Sequence, residues 1–404
     1  MSHNSFIKRE FEQELKNNIL PYWMKNAPDT KNGGFYGFVS NNNAINNNIP
    51  RTSVSCARIL WTFSHAYLMD KKEEYLHTAK MAYDYLNSAF WDNQNNGLFW
   101  SVDKHGNPAS DHKQYYAQAF GIYGYSEYFR ATLEEASLKR AMHLFQIIEE
   151  NAFDEKYGGY IEGSSRDFSP LADMRLSAKD MNCRKSMNTL LHIMEAYTNL
   201  LRVWENQKLR EQLQRLMIDF TEHVIDHHSK HFSLFFDDEW NPLSDHISAG
   251  HEIEGSWLLC EAAESLGNQG LLDLIHSSSL QLAESVLTCG IDEDGSIIHE
   301  GTIDHVTNPD KEWWTQAEAV IGFYNAYQLS GDSKYLKASL TCWEFIKTNL
   351  VDTTHGGWFK RLKADGSIDP SSPKIGPWES SYHESRLCYE MIKRLSVTQK
   401  SDLK

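Results

Sequence analysis

The sequence lacks any long apolar run. No stretch of its 404 residues approaches the roughly 20 consecutive apolar residues that span a bilayer. The first residues, MSHNSFIKREFEQELK, are polar and do not contain the apolar core of a signal peptide. Basic residues are also scarce, with 39 Lys and Arg against 55 Asp and Glu and a formal charge of -16. This balance disfavours a nucleic-acid partner, which requires a surplus of cations. We therefore expect a cytoplasmic protein with neither a membrane nor a nucleic-acid partner.

Paired cysteines are missing as well. The six cysteines are far apart and form no C-x-x-C motif; they are Cys56, Cys183, Cys260, Cys289, Cys342 and Cys388. This spacing predicts reduced thiols within helices rather than a disulfide or zinc framework. Aromatic residues, by contrast, are abundant, with 12 Trp, 19 Tyr and 19 Phe. Part of this excess belongs to a core, and part is suited to a cavity that stacks on sugar rings.

One loop element recurs six times along the chain. It consists of an apolar residue or two, an Asp, a few polar residues, a Gly, and an aromatic or apolar pair. The copies begin at Asp29, Asp92, Asp154, Asp226, Asp292 and Asp352, and the fourth is the weakest match. The steps between them are 63, 62, 72, 66 and 60 residues, a period typical of repeat architectures. Six units fill nearly the whole chain, so we expect a single domain over 1–404.

Between the loops, apolar residues recur at helical spacing. Twelve helices are predicted, at 4–25, 53–69, 73–90, 113–130, 133–150, 185–204, 207–226, 248–266, 269–288, 311–329, 333–349 and 380–396. Nine of the ten prolines fall outside them, and only Pro21 lies within one, near its end. Because a helical pair cannot bury both of its faces alone, neighbouring pairs must stack. We predict an all-α fold, an (α/α)6 barrel of six inner and six outer helices with short β-hairpins in the loops at one end. An open superhelix is the alternative, but it usually has polar capping units.

The long links all precede the first helix of each pair, so the first turns of six inner helices should meet at one end. Those turns contain chemistry-capable side chains, namely Arg58, Tyr116, Gln118, Asn188, His192, His251, Glu254, Trp314 and His383. Asn188 and His192 are four residues apart, so they share one helix face. His251 and Glu254, three residues apart, also share a face. The helix N-termini favour developing negative charge. Three histidines at one depth indicate an active site more than a packed core.

For several of these residues a purely structural role is the alternative to a catalytic or binding one. Arg58 can instead pair with a buried acid, and Trp313 and Trp314 can serve packing alone. The segment HHSKH at 227–231 resembles a metal-ligand spacing, but it lies in a polar loop and is interpreted as a solvated turn. His251 lacks the second histidine of an H-E-x-x-H motif. We therefore predict no metal site.

Four longer segments resemble a known family. These are KSMNTLLHIMEAYTNLLRVW (185–204), SAGHEIEGSWLL (248–259), EWWTQAEAV (312–320) and KIGPWESSYHESR (374–386). They resemble the N-acylglucosamine 2-epimerase superfamily, and within it the cellobiose 2-epimerase branch, with a mannose 2-epimerase relative as a variant of the same assignment. The resemblance covers essentially the whole chain. It implies an (α/α)6 barrel and an isomerase that inverts C2 of a reducing-end aldose without a metal or nucleotide cofactor.

The resemblance also implies a role for each candidate residue. His251 and His383 are implied to be the acid/base pair on opposite faces of C2, and His192 to assist ring opening. The implied substrate-binding residues are Arg58, Tyr116, Asn188, Glu254, Trp314 and Trp378. Two family patterns, PW-K-C-P-YH-N and S-Y-G-H-D-I-E, read here as PWESSYHE and SAGHEIE. The histidines are kept while neighbouring positions differ, which leaves a β-1,4-disaccharide and free mannose or glucose both open as substrates.

The implied chemistry explains the residue types. Removing the proton on C2 of an open-chain aldose gives a cis-enediolate, whose charge Arg58 and the helix N-termini would stabilise. Inversion needs a base on one face and an acid on the other, and histidine serves as either near neutral pH. An aldose–ketose isomerase of the mannose isomerase type is the first alternative. A glycoside hydrolase needs two carboxylates, and only Glu254 is an obvious one. A non-catalytic scaffold would not need three histidines. The sequence does not predict the oligomeric state.

Overall fold

The computed structural model describes residues 3–401 of the protein. The first helix runs from α1 (His3–Glu14) through a π-helical turn, Leu15–Ile19, into α2 (Leu20–Asn26). The helices that follow are α3 (Ser53–Asp70), α4 (Glu73–Tyr85), α5 (Tyr115–Thr132), α6 (Glu135–Asn151), α7 (Met187–Leu201), α8 (Gln207–Asp219), α9 (Ala249–Leu266), α10 (Gln269–Ser285), α11 (Trp313–Ser330), α12 (Ser333–Phe345) and α13 (Tyr382–Ser401). Counting α1 and α2 as one, residues 3–401 form twelve helices, and each corresponds to a predicted one.

Six helices form a closed inner ring. In the order α3, α5, α7, α9, α11 and α13, each helix contacts the next, and α13 contacts α3. Fourteen of the 18 residues of α5 and thirteen of the 18 residues of α11 are buried, as expected for helices that are covered on most sides. The outer helix α4 instead buries a single stripe that includes Tyr75, Ala79 and Ala82. The (α/α)6 barrel is therefore confirmed, and the contact between α13 and α3 excludes the open superhelix.

Short antiparallel strands join neighbouring units at one end of the ring. β1 (Arg51–Thr52), β2 (Ser101–Val102) and β3 (Pro108–Ser110) form one sheet. The two-stranded pairs are β4 (Lys113–Gln114) with β5 (Gly163–Ser164), β6 (Lys185–Ser186) with β7 (Phe235–Phe236), β8 (Glu300–Gly301) with β9 (Val306–Asn308), and β10 (Lys311–Glu312) with β11 (Arg361–Leu362). Four of these strands, β1, β4, β6 and β10, lead directly into the inner helices α3, α5, α7 and α11, and the others pair with them or with each other. They therefore hold the loops over the first turns of the inner ring.

Each repeated loop is closed by an isolated bridge across its Asp turn, as between Trp91 and Leu98. The Asp accepts hydrogen bonds from the backbone of its own turn; Asp92 Oδ1 accepts from Gln94 N at 3.0 Å. In five units the Asp also pairs with a cation that leads toward an inner helix. These pairs are Asp29–Arg51, Asp92–Lys113, Asp154–Lys185, Asp292–Lys311 and Asp352–Lys374. In the fourth unit Ile247 occupies the cation's position, and Asp226 has no ion-pair partner among residues 4–396.

Two smaller expectations are wrong. Cys183 lies buried in the link before β6 rather than in a helix, although all six cysteines are free thiols. The segment 227–231 is not wholly solvated, because His231 is buried and its Nδ1 lies 3.0 Å from Glu252 Oε1. In the part of the chain that is described, no helix is both long and apolar enough to span a membrane.

Candidate active site

A cavity of about 450 Å³ lies at the loop end of the inner ring. The nine residues to which the family resemblance implies a catalytic or substrate-binding role all line it: His192, His251, His383, Arg58, Tyr116, Asn188, Glu254, Trp314 and Trp378. A second arm of about 390 Å³ continues from the same place and is lined by Asn188, His251, Phe235 and His246 among others. Every inner helix contributes at least one side chain because each begins at this end of the barrel.

Two of the histidines are held by carboxylates. His192 Nδ1 lies 2.8 Å from Glu195 Oε2, one turn along α7. His383 Nδ1 lies 2.8 Å from Glu318 Oε1, which reaches across from α11. An ionised carboxylate only accepts, so each Nδ1 is the protonated nitrogen of the neutral ring and Nε2 carries the lone pair. Both rings therefore keep Nε2 available for the cavity.

The third histidine is held by a hydroxyl. His251 Nδ1 lies 2.7 Å from Ser248 Oγ, at the N-cap of α9. The indole of Trp314 packs against both His251 and His383, with ring centroids 4.7 and 5.7 Å apart. Burial, followed by the nearby His192, lowers the pKa of His251 to about 3. Burial also lowers the pKa of His383 well below its usual value. Both rings are thus neutral in the free protein, which is the form that accepts a proton.

A buried guanidinium connects the groups behind the histidines. Arg386, one turn after His383 on α13, lies 2.5 Å from Glu195 Oε1 and 2.6 Å from Glu318 Oε1, and it also pairs with Glu254. Burial would raise the pKa of Glu195, but Arg386 and the hydrogen bonds to Glu195 outweigh it and hold that pKa at about 2. Burial and the Glu318 carboxylate raise the pKa of Glu254 to about 7. The Arg386 guanidinium therefore holds three carboxyl groups in place, and the pKa values of Glu195 and Glu254 among them differ widely.

The same group of residues is the closest approach to a metal site in the described chain. Potential ligand atoms of Glu254, Glu318 and His383 lie within 4.8 Å of one another. Arg386 donates to both carboxylates, so a guanidinium takes the place of the cation that would bridge them. The residues present are accordingly better matched to an internal ion-pair network than to a metal ion, and metal-free activity stays a prediction.

Arg58 has no acidic partner at the cavity wall. Its Nη2 donates to Tyr116 Oη at 2.9 Å and its Nη1 to the Trp378 carbonyl at 3.2 Å. The guanidinium carbon lies 4.3 Å from the Phe120 ring centroid. Within residues 4–396 no carboxylate pairs with it, so the alternative of a buried ion pair is wrong, and its Nε has no partner there. A guanidinium without a counter-ion is suited to an anionic substrate oxygen.

Aromatic side chains form one wall of the cavity. Trp378 packs against Trp100 and Tyr116, with ring centroids 5.6 and 5.8 Å apart. Trp314 is also only partly buried and packs against the core. Flat, partly exposed indoles of this kind are suited to stacking on sugar rings.

The structure corrects two further expectations. Gln118 does not face the cavity, because its side chain bonds the backbone N–H and carbonyl of Leu98 and so ties α5 to its hairpin. Glu254 is not the sole acid at the cavity, since Asp180, Glu312 and Glu379 also line it. Sequence reasoning missed several residues at the site: Glu195, Glu318 and Arg386, which contact the histidines or one another, and His299, which lines the cavity. Of these, Glu195 and Arg386 were detectable, because each follows a predicted histidine by three residues on the same helix.

Residues 33–386 match the sequence profile described as N-acylglucosamine 2-epimerase. The chain belongs to this family. It is 43% identical to a cellobiose 2-epimerase of Bacteroides fragilis, over 96% of this chain and 99% of that protein. It is 38% identical to a cellobiose 2-epimerase of Dictyoglomus turgidum, with the same coverage of 96% and 99%. These findings identify this family member as a sugar 2-epimerase, an enzyme of the isomerase class.

Solved structures agree with this assignment. A cellobiose 2-epimerase from Bacillus thermoamylovorans superposes with a TM-score of 0.92 at 37% identity, covering 96% of this chain and 100% of that one. A D-mannose isomerase structure shares the fold, with a TM-score of 0.85 at 22% identity and coverage of 97% and 99%. A D-mannose isomerase of Marinomonas mediterranea is a more distant relative in sequence, at 23% identity over 98% of this chain and 100% of that protein.

Proposed function

We propose that this family member interconverts the glucose and mannose configurations at C2 of a reducing-end aldose. The substrate is a β-1,4-disaccharide such as cellobiose, or free mannose and glucose. The observation that carries the proposal is the set of three cavity histidines, each anchored through Nδ1, beside the Arg58 guanidinium that lacks a counter-ion. Relatives that are 43% and 38% identical over almost the whole chain are cellobiose 2-epimerases, which supports the disaccharide.

The reaction is a pair of proton transfers at one carbon. His192 assists opening of the sugar ring, which exposes the C1 aldehyde. One of His251 and His383 removes the C2 proton with its Nε2, and the electron pair moves to the carbonyl oxygen to form the cis-enediolate. Arg58 and the N-termini of the inner helices stabilise that charge. The other histidine then delivers a proton to the opposite face of C2, which inverts the configuration.

The remaining cavity residues hold the sugar. Glu254 and Asn188 bind hydroxyl groups, Tyr116 lines the cavity, and Trp314 and Trp378 stack on sugar faces. No metal ion or nucleotide takes part, since Arg58 supplies the electrophile. The chain acts as a single catalytic domain over 1–404, with a small carbohydrate as its partner and the cytoplasm as its expected compartment.

A ketose-forming isomerase is the second candidate, favoured by the sequence similarity to D-mannose isomerase. Both reactions pass through the same enediolate. They differ in the carbon that receives the proton, because return to C2 gives the epimer and return to C1 gives the ketose. The product formed, an epimeric aldose or a ketose, therefore distinguishes the epimerase from the isomerase.

A product assay in D₂O tests the proposal. Cellobiose, mannobiose, mannose and glucose are incubated separately with the enzyme, and products are identified by NMR. We expect the C2 epimer as the main product, with deuterium at C2, and a rate that is about 10²- to 10⁴-fold lower in His383→Ala. Fructose or another ketose as the main product would assign the isomerase, and no conversion of any of these sugars would overturn the proposal.

Trp378→Ala tests whether a second sugar is held outside the catalytic position. If Trp378 stacks on the outer sugar, kcat/KM for cellobiose should fall several-fold, since aromatic stacking contributes about 0.5–1.5 kcal/mol. The value for mannose, which has no outer sugar, should change little. Equal losses for both substrates would instead place Trp378 against the reducing-end sugar.

A further inference from the structure

His299 is a fourth histidine at the cavity, and its surroundings differ from those of the other three. Its Nδ1 is buried and has no hydrogen-bond partner among residues 4–396. Its Nε2 lies 3.3 Å from Oε1 of the adjacent Glu300, and 19% of the side chain is exposed. Buried polar atoms in proteins are nearly always paired, with protein, water or ligand. Nδ1 of His299 is therefore a hydrogen-bonding atom for which residues 4–396 supply no partner.

The position of His299 makes the substrate the natural partner. Both arms of the cavity are lined by His299, together with His251 and Asn188. The junction of the two arms is consequently where any sugar in contact with the catalytic base must lie. A rotation of the His299 ring by 180° about its Cβ–Cγ bond exchanges Nδ1 with Cδ2 and Nε2 with Cε1. The ring can therefore direct a nitrogen toward either side of the cavity while it occupies the same volume.

Contacts with Trp314 connect His299 to the reacting groups. The His299 ring meets the Trp314 indole edge-on, with centroids 6.4 Å apart and planes at 88°. The same indole packs against His251 at 4.7 Å. A single side chain thus separates His299 from the proposed base. A sugar that stacks on Trp314 with C2 at His251 would have a hydroxyl near His299.

We propose that His299 determines specificity by hydrogen-bonding one hydroxyl of the sugar held at the junction of the two arms. The inference rests on the proposed function for the identity of the sugar. A site built to bond a hydroxyl discriminates strongly against the analogue that lacks it, because its own polar group is then left unpaired. His299 therefore discriminates between sugars by their hydroxyl groups and takes no part in proton transfer.

The test combines His299→Phe, which keeps a ring but removes the nitrogens, with 3-deoxy, 4-deoxy and 6-deoxy forms of mannose. In the wild type, one deoxy sugar should lose about 10- to 100-fold in kcat/KM relative to mannose. In His299→Phe, mannose itself should lose a similar factor, and the same deoxy sugar should lose no more. His299→Gln should recover part of the loss. His143→Phe, at a histidine of the outer helix α6 that is not among the residues lining either arm, is the matched control and should leave all ratios unchanged.

Several outcomes would overturn the inference. If every deoxy sugar loses the same factor in the wild type and in His299→Phe, no hydroxyl contacts His299. A lowered melting temperature with unchanged substrate ratios would assign it a structural role. Calorimetric binding of mannose and its deoxy forms requires no turnover, so it separates the two proposals: wild type that binds but does not epimerise contradicts the function alone, and unchanged affinity ratios in His299→Phe contradict the inference alone.

Discussion

At the scale of single residues, the three anchored histidines differ in what holds Nδ1. Carboxylates hold His192 and His383, whereas the neutral hydroxyl of Ser248 holds His251. A carboxylate partner favours the protonated ring, and a hydroxyl gives no such preference. In the proposed mechanism, the two histidines that exchange acid and base roles, His251 and His383, therefore have different hydrogen-bond partners and lie on opposite faces of C2, so we expect that neither can replace the other.

We expect His251→Ala and His383→Ala each to lower kcat by about 10²- to 10⁴-fold, the usual contribution of a positioned acid or base. The circular dichroism spectrum should stay unchanged, because both side chains lie at the cavity. Steady-state kinetics with mannose and cellobiose measure the effect, and His143→Ala, on the outer helix α6 away from the cavity, is a suitable control. Activity close to wild type in either variant would remove that residue from the mechanism.

Glu254 makes stability depend on pH in a defined direction. Its pKa of about 7 in the folded protein lies above its ordinary value of 4.5, so the folded state holds a proton that the unfolded state releases. The resulting stabilisation is complete below about pH 4.5 and is lost as the pH rises toward 7. Relative to Glu254→Gln, the wild type should lose about 1–3 kcal/mol of unfolding free energy over that interval. Urea unfolding at several pH values measures it, and a constant difference would contradict the raised pKa.

At the scale of elements, five of the six Asp loops connect the end of an outer helix to the next inner helix through an ion pair. The buried cation explains why Asp recurs with so regular a spacing. Asp92 Oδ2 lies 3.1 Å from Lys113 Nζ, and both side chains are at most 1% exposed. The fourth unit provides a natural comparison, because Asp226 is exposed, has no ion-pair partner among residues 4–396, and accepts from backbone N–H groups of its turn, at 3.0 Å from His228 N and 2.6 Å from Ser229 N.

Asp92→Asn should therefore destabilise the protein by about 3–5 kcal/mol, because it leaves the Lys113 ammonium buried without a counter-charge. Asp226→Asn should cost less than about 1 kcal/mol, since the amide oxygen still accepts from the turn. Chemical denaturation of both variants gives the comparison. Equal losses would mean that the turn, rather than the ion pair, is the source of the stabilisation.

The elements and the first layer of the site were predictable from the sequence for a common reason. Helical periodicity and the Asp period are local patterns, and residues in the first turns of parallel inner helices must converge. What escaped prediction depends on distances between helices. Glu318 lies on α11 but holds His383 on α13, and nothing in its local sequence indicates that contact. His299 escaped for a similar reason, since it follows a loop and not a helix start.

At the scale of the whole molecule, the N-terminal helix contributes to closing the ring. α1 contacts α13, and Phe11, which is fully buried, packs on Trp343 of α12 with ring centroids 4.3 Å apart. Trp23 Nε1 donates to Glu384 on α13 at 2.5 Å. The two ends of the described chain are thus joined by packing and hydrogen bonds, and each unit has a neighbour on both sides.

Phe11→Ala should reveal this closure. Removing a fully buried phenylalanine costs about 3–5 kcal/mol. In a closed ring that unfolds as one unit, hydrogen exchange should accelerate as much in α7, on the far side, as in α1 and α13. Acceleration confined to α1, α12 and α13 would show that units unfold separately, as they do in an open array.

The confinement of all six loops to one face separates two kinds of evolutionary change. A loop that is closed by its own bridge and its own Asp turn can lengthen without disturbing the helices beneath it. The segment 165–184, between β5 and β6, is a long loop of this kind. Its residues Leu176, Lys179 and Asp180 line both arms of the cavity. Histidines fixed in the barrel keep the reaction unchanged, while a change of length in the loops above them can alter which sugars enter the cavity. Proteins that share this barrel can in this way differ in substrate while they retain the same reaction.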